Sequence, residues 1–258
     1  MKNSFAVAFV VLLEMIRRKD FYVLFVLTVL ITALMGSVTF FDDPKIGRYL
    51  KEICLGLIWI CSLFIAIGTM ARQFPAERDS RTIFPLMAKP ISRGQLLVGK
   101  FLGCWIASCV ALLLFYAFFG AVAAAREHQW PLGNYFQAWS LHCALLAIVI
   151  ALTLLGSLVL SSVAANLTIT AIVTVSILFV GRHLNKVAHR TSEPGGTILT
   201  GLYYLIPHLE LFDVRDLIVH DWPAIHFNLW AIAMFYGLAY TSLVLLAAWL
   251  VLRRKAFQ

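Results

Sequence analysis

The chain has 258 residues, of which 61% are hydrophobic and only 13% charged. A soluble domain carries about 25% charged residues, so this composition excludes a soluble globular enzyme or binding module and indicates a multi-pass membrane protein. The formal net charge of +8 would suggest nucleic acid in a soluble chain, but here the basic residues sort into particular segments and report topology.

Long uncharged runs in lipid must be helices, because every backbone N–H and C=O has to be bonded within the segment. A closed barrel alternates residue by residue and gives much weaker runs. Residues 1–18 come first: a nine-residue apolar stretch, 5–13, then Glu14 and the cluster Arg17, Arg18 and Lys19. A signal peptide fits poorly, since no small-residue cleavage site follows and a basic cluster does. An interfacial helix that feeds the first span fits better. The first span is predicted at 21–41, and a short polar loop with Pro44 and Gly47 occupies 42–51. The second span is placed at 53–71 and the third at 101–125, with the basic segment 72–100 between them.

No formal charge occurs from His128 to Gly181, which is too long for one helix. The small and polar residues 161–166 supply the break. The fourth span is then placed at 135–160 and the fifth, a short one, at 167–180. Residues 182–225 form a long polar loop, and the sixth span at 227–252 is closed by Arg253, Arg254 and Lys255. The expectation is a single transmembrane domain over 1–258, with no internal repeat and no soluble domain.

Six spans put both termini on one side. That side holds thirteen Lys and Arg against four Asp and Glu; the other holds eight basic and nine acidic residues. Positive loops stay inside, so both termini and the 72–100 segment are predicted to be cytoplasmic.

The segment 75–100 is the densest island of charge, with Arg78, Arg81, Lys89, Arg93 and Lys100 against Glu77 and Asp79. Pro75 suits the first turn of a helix, where a missing N–H costs nothing. Glu77 and Asp79 then face the positive end of the helix dipole, and Glu77 and Arg81 form an i,i+4 pair. Pro85 or Pro90 ends the helix. Ile83, Phe84, Leu86 and Met87 give it an apolar face. Residues 89–94 form a turn, with Ser92 as N-cap of the helix that climbs into the third span. Gly99, Gly103 and Ala107 follow at four-residue spacing, a small-residue stripe for close helix packing. Gly94 to Lys100 also fits the start of a phosphate-binding loop. However, Phe101 stands where Ser or Thr must hold magnesium, and no strand precedes it. The chain is therefore read as having no catalytic residues and no ATPase of its own.

The order of these residues resembles the permease subunits of ATP-binding-cassette type-2 exporters. In that family a pattern like E-x-x-x-G-T-L-x-x-L-L-x-x-P-I-S-R-x-x-x-x-x-G-K follows the second span. Glu77, Thr82, Pro90, Ile91, Ser92, Arg93, Gly99 and Lys100 match it, and Arg81 stands where the family often has Gly. The chain is similar to the branch of sodium-efflux, gliding-motility and nitrous-oxide-reductase maturation permeases. The resemblance implies an all-α fold of six transmembrane helices, with an N-terminal interfacial helix, a cytoplasmic coupling helix and short external re-entrant helices.

It also implies a mechanism. The coupling helix docks in a cleft of a separate ATPase subunit, present in two copies, which binds ATP and magnesium; this chain binds no cofactor itself. Glu77, Arg78 and Arg81 would make polar contacts to the ATPase, and Phe84 and Leu86 would fill its groove. Lys89, Pro90, Ser92 and Arg93 would fix the angle between coupling helix and span, with Thr82 inside the motif. Two permeases, identical or related, would form the pathway in the inner membrane. The alternative is a subunit that transmits force to an external or periplasmic partner and moves no solute. Topology and contact with anionic lipid are the blander account of the same basic residues.

On the external side all seven histidines (His128, His142, His183, His189, His208, His220, His226) fall at or near the non-cytoplasmic face. With Glu210, Asp213, Asp216 and Asp221 close by, a metal-handling site is the sharper reading, but their spacing matches no metal signature, and loop solvation and interfacial placement account for them. Residues 203–219 are apolar at intervals but too short to span, so short helices dipping into the outer leaflet are expected. Trp222, Trp230, Tyr203 and Tyr204 suit an aromatic belt. The five cysteines fall in apolar runs and read as small packing residues. No charge lies deep in any span, which favours a lipid-like, peptide or otherwise bulky substrate over a bare ion.

Overall fold

The computed structural model describes residues 2–17, 44–75, 92–127, 132–191 and 194–254, with the isolated positions 22, 26, 29, 30, 32 and 33. Most of the predicted first span, 21–41, lies outside the described residues, as does 76–91 of the predicted coupling segment. Among the described residues all regular structure is helical, without strands. The helices are α1 (Lys2–Arg17), α2 (Pro44–Arg72), α3 (Arg93–Glu127), α4 (Leu132–Val159), α5 (Val163–Ala188), α6 (Gly195–Leu205), α7 (Asp216–Val219) and α8 (Phe227–Arg254). A 3-10 turn, Leu209–Phe212, lies between α6 and α7.

Among the described residues four helices are long and apolar enough to cross a membrane: Arg48–Arg72 of α2, Arg93–Ala125 of α3, and the whole of α4 and α8. In α5 the apolar stretch is shorter, Val163–Phe179. The chain is therefore a multi-pass membrane protein. Arg72, Arg93, Arg253 and Arg254 mark one end of the bundle, called here the basic end; Lys51, Asn134 and Asp221 mark the far end.

The centre is α4. Every residue from 140 to 151 is buried, as expected of a helix that is apolar on all sides. Around it pack α2, α3, α5 and α8. Lipid tails are as apolar as leucine, so close approach rather than water exclusion joins such helices. Gly103 of α3 is such an approach: a Cβ there would lie 2.7 Å from the Cβ of Val11 and 2.8 Å from the carbonyl oxygen of Ala8, both in α1. The helix of residues 2–17 thus seats directly against the third span's basic end, with Ala8 and Val11 buried. Gly99 is buried and Ala107 packs against the core.

Two boundaries differ from the sequence expectation. The predicted polar loop 42–51 is helical from Pro44 onward, because proline at a first turn is preorganised for helix. Lys51 then has somewhere to go: its Nζ donates to the Ile218 carbonyl at 3.5 Å and lies 3.3 Å from Asp221 Oδ1. The fifth helix runs from Val163 to Ala188 rather than over 167–180. Its start is set by the Ser162 hydroxyl, which accepts from the Ala165 N–H at 3.4 Å. At its other end the helix simply continues past its apolar stretch into polar residues. The loop predicted at 182–225 correspondingly begins with a helical turn and then folds into α6, the 3-10 turn and α7.

The α4–α5 corner is tied by Asn166. Its Nδ2 donates to the Thr153 carbonyl at 3.2 Å, and its Oδ1 accepts from the Thr170 hydroxyl at 3.2 Å. Gly156 leaves room for it; a Cβ there would collide with Asn166 Oδ1.

Candidate functional site

The sequence places the site at the basic end, between α2 and α3. Glu77, Arg78, Arg81, Thr82, Phe84, Leu86, Lys89 and Pro90 lie outside the described residues. The structure does describe both chain ends that hold this segment. On the α2 side the helix stops at Arg72, and the Gln73 N–H donates back to the Met70 carbonyl at 3.2 Å. Gln73, Phe74 and Pro75 are buried.

Lys100 reaches them from α3. Its Nζ donates to the Gln73 carbonyl at 2.8 Å and stands 4.7 Å from the centroid of the Phe74 ring. The side chain is 1% exposed. An ammonium this buried is tolerable only with partners, and carbonyl and ring face supply them. The lysine that resembled a phosphate-loop residue is therefore turned into the bundle.

On the other side Ser92 opens α3 with a reciprocal cap. Its Oγ accepts from the Gln95 N–H at 3.2 Å, while its own N–H donates to Gln95 Oε1 at 3.1 Å. This is the capping box, Ser followed by Gln three residues on. The predicted N-cap at Ser92 stands; the Gln95 half was legible in the sequence and was missed. Arg93 then turns across to α8. Its guanidinium donates to the carbonyls of Leu252 and Arg253, both at 3.1 Å. Those carbonyls are orphans at a helix end, and a cation is favoured there. Trp249 of α8 packs beside Gly94, its indole nitrogen 3.5 Å from where a Cβ would stand, an ordinary contact distance. Arg253 stacks over the same indole, 5.6 Å from its centroid.

The far end carries a second polar constellation that sequence reasoning did not assemble. Arg215, just before α7, forms a two-pronged pair with Asp213, Nε to Oδ1 at 2.8 Å and one terminal nitrogen to Oδ2 at 2.9 Å. The hydrogen-bonded carboxylate holds the guanidinium's pKa above its ordinary value, against the opposing effect of burial. The guanidinium lies over the Trp59 ring at 5.0 Å and close against Gly56 of α2. Beneath it His142 of α4 stacks on Trp59 at 4.6 Å, shares a 2.9 Å hydrogen bond with Ser62 Oγ and lies 3.5 Å from the Tyr116 hydroxyl.

His142 is 0% exposed, so loop solvation does not describe it; it is a packed, hydrogen-bonded histidine within the bundle. His208 Nδ1 lies 3.4 Å from Glu210 Oε1. Among the described residues no group of three or more His, Cys, Asp and Glu is placed to hold a metal ion.

The segment 195–226 is bolted to the far end through its backbone. Asn134 Nδ2 donates to the carbonyls of Leu217 and Trp222. Gln137 is bonded twice to Ile225, accepting from its N–H at 2.9 Å and donating to its carbonyl at 2.8 Å. Leu209, Phe212, Leu217, Ile218 and Val219 are buried. Of the expected aromatic anchors, Trp230 donates to Ser140 Oγ at 3.0 Å, Trp222 stacks on His220, Tyr203 lies tilted against His208, and Tyr204 is 76% exposed.

The family model described as ABC-2 family transporter protein matches residues 12–253, nearly the whole chain. None of the curated proteins matches it.

Proposed function

This chain belongs to the ABC-2 family of transporter proteins, and from that premise we propose that it is the permease of an ATP-driven exporter. It spans the inner membrane six times with both termini cytoplasmic, and the basic end of the bundle faces the cytoplasm. Two permeases, identical or related, work with two copies of a separate ATPase subunit that binds ATP and magnesium. The external segment 195–226 caps the pathway on the opposite side.

The observation that carries the coupling role is the anchoring of both ends of 76–91. Lys100 fastens its beginning to α3 through Gln73, and Arg93 fastens its end to α8. The residues that flank the segment are thereby tied to α3 and α8. A push on it from below is delivered to α2, α3 and α8 together. The ordered pattern from Glu77 to Lys100 supports the same reading, since topology alone needs only positive charge.

The test is charge reversal at the docking surface. Glu77→Lys with Arg81→Glu should leave membrane insertion intact and abolish co-purification of the ATPase subunit and ATP-dependent function. Normal co-purification and normal function in that variant would sink the docking role. A force-transmitting subunit that moves no solute is distinguished by reconstitution with the ATPase in vesicles, where it would accumulate nothing.

A further inference from the structure

Two tryptophans brace α3 and α4 reciprocally. Trp105 Nε1 donates to the Cys143 carbonyl at 2.9 Å, and Trp139 Nε1 donates to the Cys109 carbonyl at 3.3 Å. Residues four apart share a helix face. Trp105 and Cys109 therefore lie on the face of α3 turned to α4. Trp139 and Cys143 lie on the face of α4 turned to α3. The two cysteines stand opposite each other at this crossing, and their thiols share a hydrogen bond. The adjoining Ser108, Ser140 and Ala144 are small and buried, which lets the backbones approach closely.

Both thiols are free, but their surroundings differ: Cys143 is buried and Cys109 is half-buried. Beside Cys109, Val110 is 51% exposed, and Leu113, one turn on along the same face, is 47% exposed. Cys109 is the midpoint of the apolar stretch Arg93–Ala125. At 1.5 Å per residue it lies roughly 24 Å from either end of that stretch, inside the hydrocarbon layer of the bilayer. Charged, water-soluble oxidants do not enter that layer. An oxidant that reaches Cys109 must itself dissolve in lipid. Cys143 then stands behind Cys109 as the second thiol that completes a disulfide.

We propose that Cys109 and Cys143 form a redox-modification site, closed to a disulfide by a quinone dissolved in the bilayer. The Cys109 sulfur adds to a quinone ring carbon, and its proton passes to a quinone oxygen. The Cys143 sulfur then attacks the Cys109 sulfur. The S–S bond forms, the S–C bond breaks, and its electron pair enters the ring. The Cys143 proton goes to the second quinone oxygen. Two thiols are oxidised to one disulfide and one quinone is reduced to one hydroquinone, so no net charge is left in the hydrocarbon, where it would be costly. The bond staples α3 to α4. This site is independent of the transport reading, and its test reads thiols rather than transport.

The full-length protein in lipid nanodiscs is treated without oxygen with a decyl-tailed benzoquinone. It is then denatured, alkylated without reductant and digested with trypsin. The tryptic peptides 101–126 and 127–182 should be found joined, with Cys104 alkylated, and should separate on reduction. One hydroquinone should form for each joined chain, read from the quinone absorbance. Cys109→Ala and Cys143→Ala should each abolish the joined species and its hydroquinone. Oxidised glutathione, which stays in water, should leave both thiols open.

Alkylation of both Cys109 and Cys143 after quinone treatment of the native chain would overturn the inference. So would a disulfide to a different cysteine, or quinone adducts without joined peptides. Closure by oxidised glutathione as fast as by the quinone would also overturn it, by placing the pair within reach of water.

Discussion

The Lys100 ammonium donates to the Gln73 carbonyl at 2.8 Å, joining the end of α2 to the first turns of α3 across the segment between them. The bond is buried and the lysine also covers the Phe74 ring, so its removal has two separable effects. Lys100→Met keeps the aliphatic stem but leaves the carbonyl without its donor. The expected loss is about 1–3 kcal/mol, seen as a lower melting temperature in detergent. In complexes with the ATPase subunit, hydrolysis should persist while transport falls, because the segment is no longer fixed to α3. Unchanged melting and unchanged transport would mean that the lysine is dispensable.

Ser92 and Gln95 satisfy each other's orphan N–H groups at the start of α3. Loss of such a cap costs about 1 kcal/mol. Ser92→Ala should therefore lower stability modestly, and Ser92→Asp should restore it, since aspartate caps equally well. Arg93→Gln should cost more than Ser92→Ala in thermal unfolding, because it strips the charged donor from two α8 carbonyls at once.

The architecture was legible where chemistry is local. Uncharged runs located α2, α3, α4 and α8, and the small residues at 161–166 marked the α4–α5 corner. What the sequence hid was partnership across long separations. Asp213 and Arg215 stand two residues apart and look like ordinary loop charges. Only the fold brings them beside Trp59, Gly56 and His142. Lys51 looked like loop because its charge is paired only when α7 arrives. Ser92 was found because its cap is local; Arg93 was read only from the motif, and its acceptors lie at the other end of the chain.

The Asp213–Arg215 pair predicts how the segment 195–226 is held. Asp213→Asn removes a charged acceptor from a guanidinium that is about two-thirds buried in side-chain terms. Hydrogen bonds to charged groups are worth about 1.5–3 kcal/mol. The α7 region should open more often, and a cysteine introduced at the buried Ile218 should react faster with a maleimide. Trp59→Leu should produce the same change by removing the ring face. No change in reactivity in either variant would show that the backbone bonds from Asn134 and Gln137 hold the segment without the pair.

Gly156 and Asn166 make a coupled prediction. Gly156→Ala places a methyl group against Asn166 Oδ1 and should destabilise by about 1–3 kcal/mol, the usual cost of overpacking. Asn166→Ala loses the bond to the Thr153 carbonyl but makes space. The double variant should therefore be more stable than the sum of the two losses implies, by about 0.5–3 kcal/mol of interaction energy. Strict additivity in thermal unfolding would place the two residues out of contact.

Orientation can be read with single cysteines. Cys54, Cys61, Cys104 and Cys143 are buried and Cys109 is half-buried, so the native thiols give a low background. His220 is exposed at the far end and Ser161 is exposed at the α4–α5 turn. With the basic end in the cytoplasm, His220→Cys should react with a membrane-impermeant maleimide in intact cells. Ser161→Cys should react only after the membrane is permeabilised. The reverse pattern would invert the topology and place Lys100, Arg93 and the segment between the second and third spans beyond reach of any cytoplasmic ATPase. The α4–α5 turn carries no charge of its own, so this measurement tests the orientation independently of the positive residues that suggested it.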